Sequence, residues 1–143
     1  MPDPTIARRS EILAELARPA DLRALRLPVL HVVMTLRLCA VFERAGREPL
    51  GELSTRFASV TAARALLDLS HEITAAWPEP YTCARPCCMG MTPDEITLAA
   101  LVRAALHADR TGFALQLDGL IKPNLHERIY QACLAAVAHL PRL

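Results

Sequence analysis

No stretch of this chain alternates apolar and polar residues at period two for long enough to make a half-buried strand, while Ala, Leu, Arg and Glu recur throughout. Strands are read from that alternation and helices from apolar residues three and four apart. The frequent residues here are also good helix formers, so the sequence specifies an all-α fold. With 143 residues, 52% of them hydrophobic, the chain can bury about two-thirds of the surface it exposes when unfolded. A compact single domain over residues 1–143, a bundle of five to seven helices, is expected without disulfide staples.

Punctuation residues divide the chain into segments. Thr5 to Ala17 reads as a first helix, with Ile6, Leu13 and Leu16 on one side and Pro19 ending it; Asp21 can then cap a second. Pro28 leaves two readings, a short turn followed by a helix that starts there or one kinked helix, and Gly46 stops either of them. Leu50 to Phe57 reads as a short helix. Val60 to about Trp77 reads as a longer one, with Ala63, Leu66, Leu67, Ser70, Ile73, Thr74 and Trp77 on its stripe.

Thr92-Pro-Asp-Glu95 is a full helix-start signature: hydroxyl N-cap, proline in the first turn, and a glutamate placed to complete a capping box. That helix runs to about His107 with Ile96, Ala99, Val102 and Leu106 inward. Asp109 to Asp118 follows, ended by Gly119, and Pro123 to Leu140 is the last, with Leu125, Ile129, Cys133, Val137 and Leu140 as its core stripe.

The stretch from Pro28 to Val41 is the most apolar, but it is interrupted by His31 and Arg37 and falls short of the roughly 20 residues a bilayer span needs. It reads as a helix buried on most sides, with Arg37 and His31 on its wettest stripe. The first residues lack the pattern of a secretory signal. Five cysteines, an odd number without framework spacing, suit a reducing cytosol, so a cytoplasmic location is expected.

Sixteen basic residues against fifteen acidic ones, with Lys122 the sole lysine, leave no footprint for nucleic acid or an anionic membrane. Leu50 to Leu69 has the outline of a helix-turn-helix, but only Arg64 would reach a groove from its second helix. Nucleic acid is therefore not an expected partner.

The chemistry concentrates in the segment Pro78 to Met91, where Pro78, Pro80, Pro86 and Gly90 interrupt regular structure. It carries Cys83, Cys87, Cys88, Met89 and Met91, soft ligands suited to zinc or copper(I). A further ligand is sought from His71, His107, His126 or Cys133. The Cys-x3-Cys-Cys spacing differs from the paired Cys-x2-Cys of structural zinc sites. The same thiols also read as a redox site: Cys87 and Cys88 lie just before a helix N-terminus and near Arg85, where positive potential favours thiolate, and Cys83 is the resolving partner. The plainer reading makes all of them small hydrophobes that pack the loop down. Cys39 and Cys133 lie on apolar stripes and are expected in the core.

Ser70-His71-Glu72-Ile73-Thr74 resembles the phospho-accepting box of phosphotransfer proteins, with Pro78 seven residues after the histidine rather than five. Phosphotransfer at His71 is a minor alternative. No phosphate loop, nucleophile elbow or His-Glu-x-x-His motif is present, so no catalytic residue is assigned and an enzyme is not expected.

The run Arg85-Pro-Cys-Cys-Met-Gly-Met-Thr-Pro-Asp-Glu95, preceded by Phe42, Arg47, Pro49 and Leu50, resembles an uncharacterised family of small helical bacterial proteins. Their mark is a Pro-Cys-Cys stretch followed by Met-Thr-x-x-Glu. Members often carry a third consecutive cysteine where Met89 stands here. The resemblance implies a helical fold and directs attention to Pro86 to Glu95 without implying a reaction. The expected function is a soft-metal or thiol-redox site of regulatory or structural role. The alternative is a helical module for a protein partner or homo-oligomer, suggested by the positive mean hydropathy of +0.23 and by the scarcity of charge between Val29 and Val41.

Overall fold

The structure is a computed structural model and describes residues 21–141. The helix expected over Thr5 to Ala17 lies outside the described residues. A 3-10 turn, Leu22–Ala24, is followed by six α-helices: α1 (Leu27–Arg44), α2 (Leu50–Phe57), α3 (Val60–Ala76), α4 (Pro93–Leu106), α5 (Arg110–Leu117) and α6 (Pro123–Ala138). Among the described residues the only β pairing is an isolated antiparallel bridge between Asp21 and Gly90. None of these helices is long and apolar enough to cross a membrane.

Local chemistry accounts for the boundaries. Asp21 caps the 3-10 turn through Arg23 N at 2.8 Å. Pro28 lies in the first turn of α1, so of its two readings the turn followed by a separate helix is the one formed. α1 ends in a Schellman motif, with Gly46 N donating to Glu43 O and Arg47 N to Phe42 O. Gly46 takes a φ of +67°, which suits glycine there.

Two further helix ends use the same device with alanine in the left-handed position. Ala58 (φ 51°) closes α2 and Ala108 (φ 50°) closes α4. Each is followed at once by an N-cap for the next helix: Ser59 accepts from Ala62 N, and Asp109 accepts from Gly112 N. These abrupt corners hold α2 against α3 and α5 against α4.

The main core is shared by α1, α3, α4, α5 and α6, and it includes Val33, Leu66, Leu98, Phe113 and Ile129. α4 packs on α1, α5 and α6, while α3 packs on α1, α2 and α6. A smaller cluster of Cys39, Leu53 and Ala63 joins α1, α2 and α3. Cys39 and Cys133 are buried, as their stripes require.

Three phases differ from those read in the sequence. In α4 Ile96 is 45% exposed and Leu106 only half-buried, because the inward face is set by Glu95, Leu98, Leu101, Val102 and Ala105. In α3 Leu69 is buried, whereas Leu67 is half-buried and Thr74 exposed. In α6 Leu125 is half-buried, and Tyr130 takes its place in the core through an edge-to-face contact with Phe113 at 5.0 Å between ring centres.

Candidate functional site

The segment from Trp77 to Thr92 joins α3 to α4 without regular structure, and polar side chains hold it on both sides. The first supports come from the start of α4. Thr92 Oγ1 accepts from Glu95 N at 3.1 Å and Glu95 Oε1 accepts from Thr92 N at 3.0 Å, completing the expected capping box. Thr92 Oγ1 also donates to Thr82 O at 2.7 Å. Asp94 takes Trp77 Nε1 at 3.1 Å on one carboxylate oxygen and Thr82 N at 2.8 Å on the other.

The second support is Arg37. The sequence places it on a wet stripe; in the structure its side chain is wholly buried, because α1 packs against α4 and the loop folds over the guanidinium. All five of its N–H donors are used. Nε donates to Glu95 Oε2 at 2.6 Å and Nη2 to Glu95 Oε1 at 3.0 Å. The remaining bonds reach the loop backbone: Nη1 to Arg85 O (3.1 Å) and Cys88 O (2.6 Å), and Nη2 to Gly90 O (2.9 Å). Glu95 Oε1 also receives Ala84 N at 3.3 Å. A planar fork with five donors can satisfy a carboxylate and several carbonyls at once, which an ammonium cannot. Hydrogen bonding to Glu95 holds the Arg37 guanidinium above its ordinary range, with burial opposing.

Three carbonyls fixed by one guanidinium define the path of the chain through the cysteines. Cys88 N donates to Arg85 O at 3.0 Å, closing a turn with Pro86 and Cys87 at its corners. On the far side Leu22 N donates to Met89 O at 2.9 Å, so the Asp21 bridge borders the loop.

On this frame Cys87 and Cys88 are exposed, Met89 is 46% exposed, and Cys83 is half-buried. All five cysteines are free thiols. Burial pushes the Cys83 thiol up, and the negative charge of Glu95 adds to the shift. Cys83 is therefore not an activated thiolate. Met91 is half-buried and packs against the main core, so its thioether is not displayed with the others.

The other ligand candidates are engaged elsewhere. His71 is exposed on α3 in a groove with Arg64, Asp68, Arg128 and His139, away from the loop residues. His107 Nδ1 lies 2.8 Å from Arg103 O, and His126 Nε2 lies 2.8 Å from Ile121 O. Cys133 is sealed in the core, its thiol pushed up to about 12 by burial. Among the described residues no three His, Cys, Asp or Glu side chains lie together as a metal-holding group.

The residue that sequence reasoning missed is Arg37. An isolated charge in an apolar helix is its only local signal, and nothing in the sequence connects it to a partner 58 positions away. Comparison of the chain with protein-family models, curated proteins and solved structures finds no match.

Proposed function

We propose that the loop is a surface thiol site in which Cys87 and Cys88, with Met89 beside them, bind a soft metal ion or respond to oxidants in a regulatory role. The observation that carries this reading is the use of a fully buried charge to fix the backbone at Arg85, Cys88 and Gly90, around the two thiols. Burying an ion pair costs solvation that its mutual attraction offsets only with good geometry, and one known reason to keep such a pair is conformational specificity. Here the specified element is the turn that holds Cys87 and Cys88 at the surface.

Of the two metals expected from the sequence, copper(I) suits the arrangement better. Two neighbouring thiols and a thioether are the soft ligands it selects, whereas a structural zinc site asks for four ligands.

The test is anaerobic titration of the reduced full chain with copper(I) under a competing chelator, alongside Cys87→Ser/Cys88→Ser. Stoichiometric uptake lost in the double variant supports the metal reading. Absence of uptake, together with peroxide oxidation at these two positions that is no faster than for a free cysteine, overturns both forms of the proposal.

A further inference from the structure

A second feature lies apart from the cysteine loop. Between α1 and α2 the surface dips into a recess of about 350 Å3, within the size range of sites for small organic ligands. Its walls are Leu30, Met34, Leu38 and Phe57, with the fully buried Leu53 beneath them. Three polar side chains line it: Thr35, whose hydroxyl donates to His31 O at 2.7 Å, and two with unspent donors, His31 and Arg56.

Both of these offer donors. Arg56 uses only Nε internally, donating to Glu52 Oε1 at 3.0 Å. Its Nη1 and Nη2 make no hydrogen bond among the described residues, which leaves the two-pronged edge that matches a carboxylate. His31 stands edge-on to Phe57, ring centres 5.2 Å apart. Its Nδ1 is shut off from solvent without a partner, while burial lowers the ring's basicity and favours the neutral form. A buried N–H without an acceptor is the costlier defect, so the favoured tautomer keeps Nδ1 unprotonated and carries its N–H on Nε2. The Glu52 carboxylate is held by Arg56 Nε at 3.0 Å.

We infer that this recess binds a small monocarboxylic acid with an apolar body, a medium-chain alkyl or aromatic acid. The body lies against Met34, Leu38 and Phe57 over Leu53, and the carboxylate accepts from Arg56 Nη and His31 Nε2. Hydrogen-bond complementarity selects this occupant: the polar groups left without a partner at the rim, the Arg56 Nη edge and the His31 Nε2 N–H, are donors, so an acidic headgroup is paired there and a cationic one is not. The inference is independent of the thiol site.

Sodium octanoate is the probe, titrated into the full chain by calorimetry and followed by NMR at the methyl groups of Met34 and Leu53. One-to-one saturable binding with shifts at both methyls is expected. Arg56→Gln, an exposed change, should weaken it by about tenfold or more, as should replacing octanoate with 1-octanol, since a charge-assisted hydrogen bond is lost in each case. Met34→Trp, which fills the recess, should abolish it. The inference is overturned by absent saturation, by octanol binding as tightly as octanoate, or by methyl shifts that fail to localise to the recess. It is also overturned if the same methyls shift with protein concentration alone, which would make a second copy of the chain the occupant. Because the methyl shifts report on the wild-type chain, the test stands even if Met34→Trp does not fold.

Discussion

Arg37 and Glu95 meet across 58 residues as an ion pair whose side chains are both wholly buried, with Nε 2.6 Å from Oε2. Each partner is also bonded to loop backbone: Arg37 through three carbonyls, Glu95 through two amides. The same glutamate completes the capping box of α4. One carboxylate therefore couples the start of α4, the middle of α1 and the path of the cysteine loop.

Removing one member of this pair leaves the other charged in the core. Arg37→Met should destabilise the fold by about 3–5 kcal/mol, the usual range for breaking a buried pair. Arg37→Lys should be nearly as harmful, because an ammonium cannot serve two carboxylate oxygens and three carbonyls. Urea denaturation at pH 7 measures both; a loss below about 1 kcal/mol for Arg37→Met would contradict the role assigned to the pair.

The burial of the five thiols ranks their reactivity. Cys87 and Cys88 are exposed, Cys83 is half-buried beside Glu95, and Cys39 and Cys133 are in the core. Under native conditions a disulfide reagent should modify Cys87 and Cys88 first, Cys83 more slowly, and the core pair only after denaturant is added. Peptide mapping of the time course checks the order. Cys133 reacting alongside Cys87 would show that the core opens far more readily than its packing implies.

Much of this architecture was legible because it is written in local signals. The proline in α1, Gly46, Gly119 and the Thr92 to Glu95 box each act within a few residues, and the α2 to α6 boundaries fall close to where the sequence reading puts them. The location of the thiols on an irregular segment before a capped helix was legible for the same reason. The phase of α4 was not. Ile96 reads as a core residue by type, but Glu95 occupies the inward position once Arg37 is there to neutralise it, which turns Ile96 outward. Periodicity ranks residues by their own hydrophobicity and has no means of representing a charge made tolerable by a distant partner.

The left-handed alanines are another feature invisible to sequence patterns. Ala58 and Ala108 are both exposed and both close helices with φ near +50°, a conformation that costs a residue bearing a Cβ roughly 1–2 kcal/mol. Ala58→Gly and Ala108→Gly should each stabilise the protein by about 0.5–1 kcal/mol, the relief of strain outweighing the greater freedom glycine gives the unfolded chain. Thermal unfolding of the single and double variants measures this. The effects should add, since the two corners belong to different helix pairs. A fall in stability on either substitution would mean that the strain is absent.

The buried thiols also make the fold sensitive to alkali. Cys133 has its thiol raised from 9.0 to about 12 by burial, and burial raises Cys39 and Cys83 as well. Below about pH 8 these thiols are protonated whether the chain is folded or not, and their contribution to stability is fully present. As the pH rises through 9, the unfolded chain releases protons that the folded chain keeps, so the folded state binds more and stability falls with pH. For Cys133 the loss continues until the folded thiol itself ionises near 12, at a slope approaching about 1.4 kcal/mol per pH unit for one proton. Urea denaturation at pH 8, 9 and 10 under reducing conditions should show this decline. Cys133→Ala should be less stable than the parent at pH 7 because of the space it opens, yet it should lose stability less steeply above pH 9. Equal slopes for parent and variant would show that Cys133 titrates alike in both states and that its surroundings are wetter than the packing of α6 indicates.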